Sequence, residues 1–145
     1  MIIYLDNCCY NRPFDDQTQE RIHLESEAIL AILQQGQSGK YKIVGSDVLE
    51  LEMERMHDIV KKQHVKDLYK VSDGRILYTK EIKERSEEIM HQSHIKTFDS
   101  LHIAAAEAAK ADVMLTTDDK LEKMAQKLEL KVKVMNPLKF AWEVL

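Results

Sequence analysis

Glycine and proline are scarce in this 145-residue chain, at four and two residues, so no flexible or proline-rich linker divides it and extended disorder is not expected. Its two cysteines, Cys8 and Cys9, are adjacent, which suits neither an ordinary intradomain disulfide nor a zinc knuckle. A reduced, cytoplasmic setting follows as the expectation. No apolar stretch approaches the roughly 20 residues that cross a bilayer; the longest, IAAAEAA, is far shorter. No positively charged leader precedes an apolar run at the N-terminus, so no secretion signal is expected. Neither GxGxxG nor a P-loop is present, which removes the usual nucleotide cradles, and HExxH and an ordered Ser-His-Asp set are missing as well. There is no basic excess either. The net charge is −4 and the pI is near 5.9, the reverse of the usual footprint of a nucleic-acid binder.

What remains is an ordinary globular composition, 44% hydrophobic and 32% charged, of a length that fits one core and one domain over residues 1–145. Short apolar runs at 2–5 (IIYL), 41–44 (YKIV), 75–78 (RILY), 113–116 (VMLT) and 131–135 read as strands. Between them, helices are predicted over 18–35 (closed by Gly36), 47–61 (capped by Ser46), 64–71, 80–92, up to about 110 from a cap at Thr97, and 118–128. Pro137 opens a last helix, a position that suits proline. Strands alternating with helices predict an α/β fold with a mostly parallel sheet, in which ligands bind beyond the carboxyl ends of the strands. Asp6 stands at one such end and Asp118 just past another.

With 25 acids in the chain, most must be solvated, and the informative ones sit where a bland acid should not. On a wheel of about 100° per residue started at Val48, the segment SDVLELEMERMHDIV gathers Leu49, Leu51, Met53, Met56, Ile59 and Val60 on one broad apolar arc. Glu50 and Glu54 fall opposite. Glu52 falls inside the arc, where a carboxylate is costly unless paired or metal-bound, or unless its head reaches water at the arc's edge. Asp99, in KTFDSLHIAAAEAA, occupies a first helical turn, where the exposed N–H groups favour an acid in any case. Its helix is apolar nearly all round, so its tip would point into the crevice. Asp118 and Asp119 follow VMLTT; capping by Thr117 or Asp118 accounts for one acid and leaves the other free. Cys8 and Cys9 read as small packing groups. His102 reads as a packing residue on a helix face rather than a ligand, and the other five histidines as surface or loop positions.

Asp6, Glu52, Asp99 and Asp118, taken together, resemble the acids of the PIN-domain ribonucleases, most closely the single-domain toxins of type II toxin–antitoxin pairs. The resemblance spans essentially the whole chain. It is carried by IIYLDNCCYNRPFDD, SDVLELE, FDSLHIAAAE and LTTDDKL, the last two being the most specific. By position Asp6 matches the family's first acid, Glu52 its glutamate (with Glu50 two residues away), Asp99 its third acid and Asp118 its fourth. Thr116 matches the hydroxyl two residues before the fourth acid, and Asp119 stands as an extra carboxylate. Asn7 departs from the Thr or Ser usual after the first acid; its amide retains hydrogen-bonding capacity.

The resemblance implies a three-layer α/β/α fold and hydrolysis of RNA phosphodiesters with Mg²⁺ or Mn²⁺. Asp6, Asp99 and Asp118 would serve as metal-side acids and Glu52 would orient or deprotonate water. An antitoxin protein and a second copy of the chain are the implied partners, and no membrane is. Arg12, Lys61, Lys62, Lys96 and Lys120 remain to meet a nucleic-acid backbone. Two other readings stand beside it. One is a catalytically silent PIN-like scaffold for protein or RNA, for which Asn7 speaks. The other is an α/β phosphatase or phosphoacceptor using Asp6, which would want an acid where this chain has Cys8, or an acid pair near the first strand.

Overall fold

Ile2–Leu5 is apolar throughout and forms β1, the middle strand of a five-stranded sheet in a computed structural model that describes residues 1–144. Along the chain follow α1 (Asn7–Asn11), a 3₁₀ turn (Arg12–Phe14), α2 (Glu20–Gln37), β2 (Lys42–Ser46), α3 (Asp47–Glu54), α4 (Ile59–Tyr69) and β3 (Arg75–Ile76). Then come α5 (Lys80–Gln92), α6 (Thr97–Ala108), β4 (Val113–Leu115), α7 (Asp119–Gln126), β5 (Lys133–Met135) and α8 (Pro137–Val144). Every neighbouring strand pair is parallel, in the order β3-β2-β1-β4-β5. Such a sheet is apolar on both faces because helices flank it, and Ile3, Tyr4 and Leu5 are all fully buried. No helix among the described residues is long and apolar enough to cross a membrane.

The strand order positions the site. The chain runs from β1 outward to β2 and β3, then returns across β1 to β4 and β5. The carboxyl ends of β1 and β4 therefore flank the point where the winding direction reverses, which is where open parallel sheets form ligand crevices. The register pairs Tyr4 with Met114 and Leu5 with Leu115, and Asp6 N–H donates to the Leu115 carbonyl at 2.9 Å. The residue after each strand is thereby delivered to the same edge.

Several local expectations give way. The predicted helix over 47–61 breaks after Glu54, because the Asp58 carboxylate accepts from Lys61 N–H at 3.0 Å and starts a new helix that absorbs the one expected at 64–71. Ile59 and Val60, which a continuous helix would bury, are instead 80% and 68% exposed. Leu51 is also exposed. α1 has no apolar period; the Asp6 carboxylate caps it and burial of Cys9 and Tyr10 holds it. Thr97 is the first helical residue of α6 rather than its cap. Gly36 does not end α2 but lets it approach β2, since a Cβ there would meet Ile43 Cγ1 at 2.6 Å. In the C-terminal FAWEVL, Phe140 is core and Trp142 is 91% exposed; Leu145 lies outside the described residues.

Gly45, in β2, is a second close approach. A Cβ would stand 2.3 Å from the Tyr69 hydroxyl, which accepts from Ser46 N–H at 3.1 Å and donates to Glu50 at 2.9 Å. Because those bonds pin the ring, Gly45→Ala should destabilise the fold by about 1–3 kcal/mol. The urea midpoint reads this out, and an unchanged midpoint would show that Tyr69 is free to yield.

Candidate active site

Asp6 extends the β1 ladder by one residue and is nearly buried. Its Oδ1 accepts from Asn7 N–H at 2.7 Å, and its Oδ2 accepts from the Thr116 hydroxyl at 3.0 Å and the Cys8 thiol at 3.4 Å. Thr116 in turn accepts from Asp118 N–H at 3.2 Å. One hydroxyl thus brackets the residues following β1 and β4. Asp118 caps α7 through Oδ1, which accepts from Lys120 and Leu121 N–H. Capping occupies that one oxygen, and the side chain still lines the crevice.

Asp99, from the first turn of α6, and Glu52, from α3, enter the same crevice. Glu50 instead accepts from Tyr69 and pairs with Arg75. Asp119 turns away as well, to a two-point ion pair with Arg21 at 2.7 and 2.8 Å that holds its carboxyl below the ordinary range. The adjacent pair therefore divides otherwise than expected, with Asp118 both capping and facing the crevice. Arg12 and Lys61 line the same crevice and are both paired to Asp15. Lys62 is engaged by Glu54 outside the crevice, and Lys96 and Lys120 are exposed.

The acids strain one another electrostatically. Burial pushes the Asp99 carboxyl up to about 6; Asp6, Asp118 and Glu52 add to the rise and His102 opposes it. A hard cation would relieve this, and a set of carboxylate oxygens suits Mg²⁺ or Mn²⁺. Asn7 also lines the crevice, and its Oδ1 is buried with no hydrogen-bond partner among the described residues, an acceptor waiting for a water or ligand donor. By donor chemistry these residues fit a divalent metal, and among the described residues the ligand atoms within 4.8 Å of one another are those of Asp6, Glu52 and His102.

His102 is the residue that sequence reasoning undervalued. It is fully buried, its Nε2 is 2.8 Å from Glu52 Oε1, and it lies 3.7 Å from Asp6 Oδ1. Burial lowers its pKa, but the Glu52 bond and the nearby Asp6 and Asp99 charges outweigh that and raise it. One signal was available: His102 follows Asp99 by three residues and so shares its helix face. Cys8 likewise does more than fill space, since Thr117 N–H donates to its sulfur at 3.4 Å.

A family model of the PIN domain matches residues 4–127. Among solved structures, the chain is similar to one in the crystal structure of VapBC2 from Rickettsia felis bound to a DNA fragment from their promoter. That match has a TM-score of 0.63 at 15% identity and covers 94% of this chain and 98% of that one. A search of curated protein sequences returned no match.

Proposed function

The chain belongs to the PIN-domain family, and on that premise we propose that its acidic crevice hydrolyses RNA phosphodiester bonds with a divalent metal. The observation that carries this reading is that Asp6, Glu52, Asp99 and Asp118 line one crevice beyond the carboxyl ends of β1 and β4, together with the cationic Arg12 and Lys61.

Asp6, Asp99 and Asp118 would hold Mg²⁺ or Mn²⁺. When bound, such a cation supplies Lewis-acid polarisation of the phosphoryl oxygen and charge relief for the leaving oxygen. Asp6 is aimed by Asn7 N–H and the Thr116 hydroxyl. Glu52, whose Oε1 is engaged by His102, takes the proton of a water directed at phosphorus through its other oxygen. The Asn7 amide orients that water. Arg12 and Lys61 contact flanking phosphates, which carry most of the sequence-independent affinity for a nucleic acid and offset the overall acidity. By its likeness to single-domain toxins, the protein would act in the cytoplasm as a single domain, with an antitoxin and a second copy as partners.

The test is cleavage of a panel of structured and single-stranded RNAs with Mn²⁺, with EDTA controls and Asp6→Asn alongside. Cutting by the wild type that both EDTA and Asp6→Asn abolish is the expected result. A folded wild type that neither cuts the panel nor binds Mn²⁺ by calorimetry would leave the silent scaffold as the better reading.

A further inference from the structure

We infer that His102 is a positioning residue: its Nε2–H holds the Glu52 carboxylate in the crevice, and Tyr4 and Ser46 set the tautomer that makes this possible. The effect on cleavage rests on the nuclease reading above; the hydrogen-bond arrangement does not.

Four side chains form a line. Ser46 Oγ is 2.7 Å from Tyr4 OH, Tyr4 OH is 2.6 Å from His102 Nδ1, and His102 Nε2 is 2.8 Å from Glu52 Oε1. Ser46, Tyr4 and His102 are each fully buried, so water does not complete their bonding. An ionised carboxylate only accepts, so Nε2 must carry a proton. In the neutral ring Nδ1 is then bare and must accept, and the Tyr4 hydroxyl supplies the proton. The Tyr4 oxygen accepts in turn from Ser46, whose own oxygen already accepts from Leu49 N–H at 3.0 Å as the cap of α3. Donation therefore runs in one direction, Ser46 to Tyr4 to His102 to Glu52, with every link satisfied. The opposite direction would set a bare Nε2 lone pair against a carboxylate oxygen at 2.8 Å. A doubly protonated ring keeps the same Nε2 donor but donates from Nδ1 to the Tyr4 oxygen, so the Tyr4 and Ser46 links then run the other way and set the tautomer only of the neutral ring.

The arrangement spans the elements that build the crevice. Tyr4 lies on β1, Ser46 at the end of β2, Glu52 on α3 and His102 on α6, one turn after Asp99. The line therefore fixes the glutamate relative to the helix that carries Asp99 and the strand that carries Asp6. Glu52 is partly exposed and would otherwise sample several rotamers. A rival arrangement exists, because Asp6, Glu52 and His102 offer atoms all within 4.8 Å of one another. Ligation of a metal by His102 would require a bare Nε2 and a proton on Nδ1, so the two arrangements differ in which nitrogen is protonated.

Long-range ¹H–¹⁵N spectra of the histidine rings in the wild-type protein, without metal and with saturating Mg²⁺, decide this directly. Protonated Nε2 in both conditions is expected; a ring protonated on Nδ1 alone in either overturns the inference. Kinetics supply the second arm. His102→Leu, which fills the space without a donor, should lose about 10–100-fold in kcat with KM little changed, and His102→Gln, which restores an N–H toward Glu52, should recover part of that loss. Equal losses in the two variants, with both folded by circular dichroism, would overturn it, as would an effect confined to KM. Should the wild type cut no RNA at all, the nuclease reading fails and the ring spectra alone judge His102.

Discussion

Asp99→Asn will lose more than about 100-fold of metal-dependent RNA cleavage and will nevertheless make the metal-free protein more stable. The two effects share one cause. Asp99 is held in a place that disfavours its charge, through burial first and then the Asp6 carboxylate, with His102 opposing and Asp118 and Glu52 adding to the strain. Its carboxyl titrates at about 6 when folded, against an ordinary 3.8. Between those values the folded state binds more protons than the unfolded one, so stability falls as pH rises through the window, and the whole penalty is present above about pH 6. His102, also raised, contributes a fall of the same sign, but above its ordinary 6.5 rather than inside the Asp99 window. A gap of that size corresponds to about 3 kcal/mol at most. The carboxyl keeps contact with solvent, so a penalty on the order of 1–2 kcal/mol is the fair expectation. At pH 7 without metal, Asp99→Asn should melt about 3–8 °C above the wild type, and the difference should shrink toward pH 4. Mg²⁺ should raise the wild-type melting temperature and leave the variant's nearly unmoved. A variant less stable than the wild type at pH 7, or one that still cuts RNA, would refute the assignment of Asp99 as a strained metal-side acid.

The largest loss of stability is expected at a carboxylate outside the crevice. Glu25, on α2, is completely buried among cations. Its Oε2 accepts from Asn136 Nδ2 at 2.7 Å and Arg21 Nε at 3.2 Å. Its Oε1 lies 2.9 Å from Arg12 Nε, an ion contact rather than an aligned hydrogen bond. Removing this buried carboxylate strips Asn136 Nδ2 of its acceptor and leaves Arg12 and Arg21 with only the Asp15 and Asp119 carboxylates, so Glu25→Ala should cost about 3 kcal/mol, the low end for a broken buried charge cluster. The exposed Glu54, which pairs with Lys62 and Lys66 on the surface, is the control, and Glu54→Ala should cost less than about 1 kcal/mol. Urea denaturation of the three proteins tests the contrast, and equal shifts would show that burial of Glu25 is not what gives it its weight. Arg12 also lines the crevice, so any folded Glu25 variant should show a raised KM for RNA before a changed kcat.

Local chemistry alone determined much of this protein. The apolar run 2–5 forms β1, the Ser46 cap starts α3, the charged segment 80–92 is α5, and Pro137 opens α8, because each signal acts within a turn or a strand of its own residue. The acids that break pattern, Asp6 at a strand end and Glu52 on an apolar arc, also stood out by local rules. The break after Glu54 was a local signal too, since Asp58 caps a new helix three residues before Lys61, but a wheel that draws the apolar arc as continuous passes over it. What depends on residues far apart did not stand out. Asp119 looked as available as Asp118 until Arg21, 98 positions away, drew it off. His102 looked like packing until α6 set it against Glu52, 50 positions away. That Asp6, Glu52, Asp99 and Asp118 line one crevice is a property of the strand order β3-β2-β1-β4-β5, which brings the ends of β1 and β4 together and which no stretch of sequence shorter than the whole sheet encodes.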